Sequence, residues 1–180
     1  MADEDPLGPR VRALFVDLAH AGDLSSPGDA VPAERSAAVS CIGEAGRVAE
    51  GTRVRFCLRL AGARVRQVRY RAYGCPFTLA TCEWLARRLS GQELRVPAAG
   101  PPEAVAGTLA AAVGTPTEWA AALGVPVQRL GRLLIVEDAL LQALGAAGGC
   151  CDAIATAPGP PGGPRRSAGA DGDESMTDSG

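Results

Sequence analysis

Lysine is missing from this 180-residue chain: all 18 basic residues are arginine, set against 20 acidic residues for a net charge of −2. Such a balance gives the whole molecule no electrostatic attraction to nucleic acid. The exclusive use of arginine reads as genome composition rather than function. Aromatics make up 4% of the residues, and much of the 47% hydrophobic content is alanine, so the expected core is small. No apolar run approaches the roughly 18 residues of a membrane-spanning helix. Residues 1–20 have no charged segment followed by an apolar one, so no signal peptide is expected. The six cysteines are too few and too irregularly spaced for a secreted disulfide scaffold. A soluble, cytoplasmic protein with reduced thiols is the expectation.

The chain has the length for one domain plus an unpacked tail. Residues 1–150 are expected to form that domain, interrupted by a Pro/Ser/Gly/Asp-rich loop at about 22–38. Residues 151–180, with the run from Pro158 to Arg166 and an acidic end, are expected to be a disordered tail. Val11, Leu14, Phe15 and Leu18 share a helical face. From 53 to 60 the chain alternates, with Arg53, Arg55, Cys57 and Arg59 on one face and Val54, Phe56, Leu58 and Leu60 on the other. That pattern predicts a half-buried antiparallel strand. Ala61-Gly62-Ala63 then turns into a second strand over 64–73, and 39–48 is a candidate third.

Beyond Cys75 the pattern becomes helical. Pro76 suits a first helical position, and Phe77, Ala80, Trp84 and Leu89 form a stripe that stops at Ser90-Gly91. Pro102 opens a helix carrying Val105, Leu109 and Val113. Thr115-Pro116-Thr117-Glu118 fits a capping box. A last helix over about 128–146 would turn Leu130, Leu133, Leu134, Leu140, Leu141 and Leu144 inward. Strands followed by helices predict an α+β fold, a small antiparallel sheet of about three strands with helices on one face.

Tyr73-Gly74-Cys75 places a thiol where a strand hands over to a helix. Unpaired backbone N–H groups and the helix dipole favour thiolate there, the form that binds metal or accepts sulfur. Gly74 allows a sharp turn and leaves room beside the sulfur. The order of elements around this corner resembles the NifU N-terminal/IscU-like family of iron–sulfur cluster assembly scaffolds, which also close their third strand on Tyr-Gly-Cys. Two further stretches carry the resemblance: Gly124 to Arg132 followed by Val136-Glu137-Asp138-Ala139-Leu140, and the amphipathic start from Val11 to Gly22. It covers roughly residues 10–147.

The resemblance implies a scaffold for an iron–sulfur cluster or iron, and Cys75 as retained cluster ligand or persulfide acceptor. It implies a cysteine desulfurase or another assembly protein as partner, with a possible homodimer, and neither nucleic acid nor membrane. The chain also departs from the family. Family scaffolds use three cysteines, an aspartate and a histidine. Here Glu50 and Thr52 stand where the first cysteine and the aspartate belong, and Gly131-Arg132 replace the His-Cys pair. Of five ligand positions only Cys75 is kept. One thiolate does not hold a cluster that wants about four, so Glu50 and Cys41 are secondary metal candidates. Cys82 lies seven residues beyond Cys75, roughly 10 Å along a helix, too far to share an ion.

Arg132 could stabilise the Cys75 thiolate, pair with Glu50, or point into solvent. His20, the single histidine, reads as a helix cap or surface residue. Val125 to Arg129 departs from the family's co-chaperone segment, which argues against chaperone-assisted cluster release. Eight arginines between 47 and 71 face a single acid, Glu50; this is a solvated strand face or a dock for an acidic partner. No paired carboxylates, nucleophile–base pair or phosphate loop points to an enzyme. Two other readings stand beside the scaffold: a degenerate, metal-free interaction or regulatory module of the assembly machinery, and a thiol redox sensor at Cys75.

Overall fold

A computed structural model describes residues 7–24, 38–96 and 101–155, the last stretch without its side chains beyond 146. The 22–38 loop therefore falls mostly outside the described residues, as does the expected 151–180 tail except for 151–155, which continue the last helix instead of leaving it. The elements are α1 (Gly8–Val16), β1 (Ala38–Arg47), β2 (Thr52–Ala61), β3 (Arg64–Tyr73), α2 (Pro76–Leu89), α3 (Pro102–Val113), α4 (Pro116–Leu123) and α5 (Leu130–Ala155). Short 3-10 turns occupy Val48–Glu50 and Val127–Arg129. The expected α+β architecture is what forms.

The strands make one antiparallel sheet in the order β1-β2-β3. Alternation puts Val54, Phe56, Leu58 and Leu60 wholly into the core. On β3 the apolar residues Val65 and Val68 are three apart, which strict alternation would send to opposite faces. A register shift resolves this: Leu58 faces Val68 while Leu60 faces Val65, so β3 spends one residue more than β2 and both valines are buried. The outer strand β3 gains a short addition from the chain after α1, where Tyr70 N–H donates to the His20 carbonyl and Gly22 N–H to that of Tyr70.

Helix α5 crosses β1 and β2, α2 lies over β3, and α1, α3 and α4 pack on these two helices. The core between the layers holds Phe56, Tyr70, Leu85, Leu133, Leu140 and Trp119, whose indole donates to the Val113 carbonyl at 2.8 Å. Each fully buried leucine or phenylalanine contributes about 1.5–3 kcal/mol. Gly43 sets the closest approach of sheet and helix: a Cβ there would run into the Ala139 carbonyl oxygen and the Ala143 amide nitrogen. The capping box at Thr115 forms, with Thr115 N–H donating to Glu118 at 2.7 Å, and Gly124 ends α4 in a left-handed conformation.

Three sequence expectations need correction. Leu134 is 47% exposed, because Leu133, Val136 and Leu140 define the inward face and Leu134 lies a hundred degrees around from it. Phe15 is 39% exposed, and α1 buries fully only Val11. His20 is neither a cap nor a free surface residue, since α1 ends at Val16 and the imidazole reaches Glu83 on α2.

Candidate functional site

Cys75 is the residue immediately before α2, in extended conformation, with Pro76 as the first helical residue. This follows from the local sequence. Proline fixes the backbone of the first turn and gives up an N–H that had no helical partner. The amide groups of the first turn therefore point back at the sulfur. The thiol is half-buried and lies 3.5 Å from the Thr78 hydroxyl. Burial pushes its pKa up, but the Thr78 hydroxyl, the backbone N–H groups of Thr78 and Phe77 and the charge of Arg132 outweigh that, leaving it below the ordinary thiol value.

Gly74 needs no left-handed backbone. Its role is space: a Cβ would lie 3.1 Å from the Thr78 Cβ and Oγ1. The glycine lets Thr78 stand close to the corner and reach the sulfur, which corrects the expectation of a special turn while keeping that of room beside the thiol.

Antiparallel register brings the next pieces together. Arg53 faces Tyr73, so the start of β2 lies beside the end of β3 and the Cys75 corner. Thr52, at that start, is buried, and the guanidinium of Arg132 reaches it from the first turn of α5. Arg132 donates both to the Thr52 hydroxyl and to the Gly51 carbonyl, the latter at 2.8 Å. Arg132 neither points into solvent nor pairs with Glu50, and its charge is the smallest of the named influences that lower the Cys75 pKa. Its hydrogen bonds go to Gly51 and Thr52, and Glu50 is exposed on the preceding turn. Gly131 has open space about it.

The other cysteines are not gathered to Cys75. Cys41 is buried in mid-sheet opposite Leu58, which in turn faces Val68. Val68 is five residues before Tyr73, roughly 17 Å along the strand. Cys57 lies on the arginine face, buried, and burial raises its pKa against the pull of Arg55. Cys82 is enclosed in the core and pushed up strongly by burial. The side chains of Cys150 and Cys151 lie outside the described residues. Among the described residues no three His, Cys, Asp or Glu side chains are grouped to hold a metal ion, and no helix is long and apolar enough to cross a membrane.

Sequence reasoning missed two features. Thr78 acts on Cys75, and its signal was the spacing of a hydroxyl three residues past a helix-starting cysteine. The other is Glu83, completely buried on α2. Its carboxylate accepts from His20 Nδ1 (2.9 Å), the His20 backbone (3.0 Å), the Tyr70 hydroxyl (3.2 Å) and Arg87 Nε (2.7 Å). Burial raises its pKa, yet the bonds from Arg87 and His20 bring it below the usual carboxylate value. Only the Glu83–Arg87 spacing was visible in the sequence.

Comparison with known proteins agrees with this fold. No family model matches the chain. It is 39% identical over 88 residues to the bifunctional protein NifU/MnmA of Rubrobacter xylanophilus, an alignment spanning 48% of this chain and 16% of that protein. Among solved structures it is similar to one described as an iron–sulfur cluster assembly scaffold protein for the SUF system of Fervidobacterium islandicum, with a TM-score of 0.50 at 14% identity, covering 76% of this chain and 95% of that one. A NifU-like N-terminal protein from Brucella abortus aligns over 76% of this chain and 90% of its own at 16% identity and a TM-score of 0.47. These similarities agree with the resemblance drawn from Tyr73-Gly74-Cys75: 88 residues of the chain are similar to a protein named NifU/MnmA, of which they span a small part, and its three-stranded α+β fold is similar to that of a solved iron–sulfur scaffold.

Proposed function

We propose that this chain serves iron–sulfur cluster assembly as a non-enzymatic, scaffold-like protein whose Cys75 accepts sulfur. The observation that carries the reading is the environment of that thiol: half-buried, at the start of α2, and held below its ordinary pKa by Thr78, two backbone amides and Arg132. The donor would be a protein persulfide of the kind a cysteine desulfurase forms. The Cys75 thiolate attacks the outer sulfur, a new S–S bond forms to Cys75, and the donor's S–S bond breaks. Its electron pair leaves on the donor thiolate, and the proton stays with the transferred sulfur.

The residues present do not fit a cluster held within one chain. Cys75 is the single thiolate at the corner, Glu50 is exposed, and the Thr52 hydroxyl is already engaged by Arg132. Clusters want about four thiolate or imidazole ligands. Cluster iron and sulfur would therefore be cargo, shared with a partner or a second copy, rather than a resident cofactor. A second reading, a metal-free interaction module of the assembly machinery, is favoured by that same arginine sitting where a ligand would be.

Incubating the full chain with a cysteine desulfurase and free cysteine, then weighing the intact protein and its peptides, tests both. One added sulfur on Cys75, absent from Cys75→Ala, is the expected result. A protein that gains no sulfur, and stays colourless on anaerobic incubation with iron and sulfide, would leave the interaction module as the surviving reading.

A further inference from the structure

The sheet face turned away from the helices carries Arg53, Arg55 and Arg59 on β2 and Arg69 and Arg71 on β3, with Arg55 directly opposite Arg71. Like charges placed opposite each other on neighbouring strands repel, so each needs a partner. Arg53 has one in Glu44 at 2.7 Å, and Arg71 has one in Asp23 at 2.5 Å. Arg69 donates to the Ala19 carbonyl and Arg59 to the Gln67 side chain.

Arg55 stands apart. It is half-buried between these pairs, with Glu44 opposite it on β1 and the Cys57 thiol within its reach, and among the described residues its enclosed Nε has no hydrogen-bond partner. A guanidinium N–H is an obligate donor that stays charged, so an enclosed one without an acceptor is uncommon and costly. Arg53, Arg55 and Arg71 also line one open cavity of about 240 Å³, with Glu44 and Tyr73 at its sides. Among the described residues these three arginines are set against the two carboxylates of Glu44 and Asp23, which leaves one positive charge over.

We infer that this cavity is an oxyanion site that takes a carboxylate group, held in bidentate fashion by the two terminal nitrogens of Arg55 with Arg53 and Arg71 beside it. The planar fork of arginine matches the two oxygens of a carboxylate, and a single negative charge cancels the surplus. The carboxylate comes either from a small free acid or from an acidic side chain of a protein, and the cavity's chemistry is common to both. The site is separate from the sulfur-accepting role of Cys75 and does not depend on it, although Tyr73, which borders the cavity, is two residues from that cysteine.

The test is an NMR titration of the full isotope-labelled chain with succinate and, separately, with a hexaglutamate peptide. Sodium chloride at matched ionic strength is the reference. Saturable shifts of the Arg55 side-chain N–H and the Tyr73 amide are expected, weakened at least about tenfold in Arg55→Gln. Arg66→Gln removes an equal charge from an exposed position outside the cavity and should leave the affinity within about twofold. Tighter binding of succinate identifies a free acid as the source; tighter binding of the peptide identifies a protein-borne one. Shifts that chloride reproduces, that fail to saturate, or that survive Arg55→Gln in a folded protein would overturn the proposal.

Discussion

Arg132 and Thr52 are hydrogen-bonded across 80 residues of chain, the guanidinium at the start of α5 reaching the hydroxyl at the start of β2. The same arginine holds the Gly51 carbonyl and biases Cys75 toward thiolate. A cation thus stands near the corner that carries Cys75, and its charge lowers the pKa of that thiol.

That arrangement orders two substitutions. The Thr78 hydroxyl is a larger influence on the Cys75 thiol than the more distant charge of Arg132. Both Thr78→Val and Arg132→Met should raise the pH midpoint of Cys75 alkylation by iodoacetamide, Thr78→Val by more. The sign follows because each change removes a group that favours thiolate. Alkylation followed peptide by peptide with mass spectrometry checks it, and a downward shift in either variant would contradict the assignment.

Gly74→Ala acts on the same pair from behind. Its methyl group would meet Thr78 at 3.1 Å, tighter than ordinary contact, so Thr78 must give way. A loss of about 1–2 kcal/mol is expected, together with a rise in the Cys75 midpoint as the hydroxyl leaves the sulfur. Stability lost with no change in alkylation would show that Thr78 does not govern the thiol.

Glu83→Gln should cost about 2–3 kcal/mol at neutral pH, because it weakens a buried carboxylate's bonds to Arg87 and His20, both partly exposed. The folded-state pKa of Glu83 lies below its ordinary value of 4.5. Its contribution is therefore present in full above about pH 4.5 and is lost as pH falls through the folded value. Urea unfolding at pH 7 and pH 3 should find wild type and variant further apart at pH 7; an equal gap at both would refute the linkage.

Gly43→Ala should be among the most damaging single-methyl changes in the chain. The added Cβ meets backbone atoms of Ala139 and Ala143, which cannot rotate away, so α5 must lift from β1. About 3 kcal/mol or more is expected, read as a fall in the urea midpoint. A near-neutral result would mean that α5 and β1 are not packed this closely.

Much of the fold was legible because its signals are local. Alternation in Val54 to Leu60, proline after Cys75, and the Thr115–Glu118 box each act within a few residues, and each element appears where it was read. The β3 bulge was not legible, since the partner strand decides which of its residues is surplus. The burial of Glu83 was not legible either, because its partners His20 and Tyr70 lie 63 and 13 residues away.

By itself, the sequence determined that a thiol would stand at a strand-to-helix corner and that one sheet face would be crowded with arginine. Only the tertiary structure decided what those arginines do. Register put Arg55 between Glu44 and Arg71 and left its Nε without an acceptor among the described residues, while helix packing carried Arg132 to Thr52. Hydrogen bonds act over about 3 Å, so the role of a long charged side chain depends on neighbours that only the folded chain brings within reach.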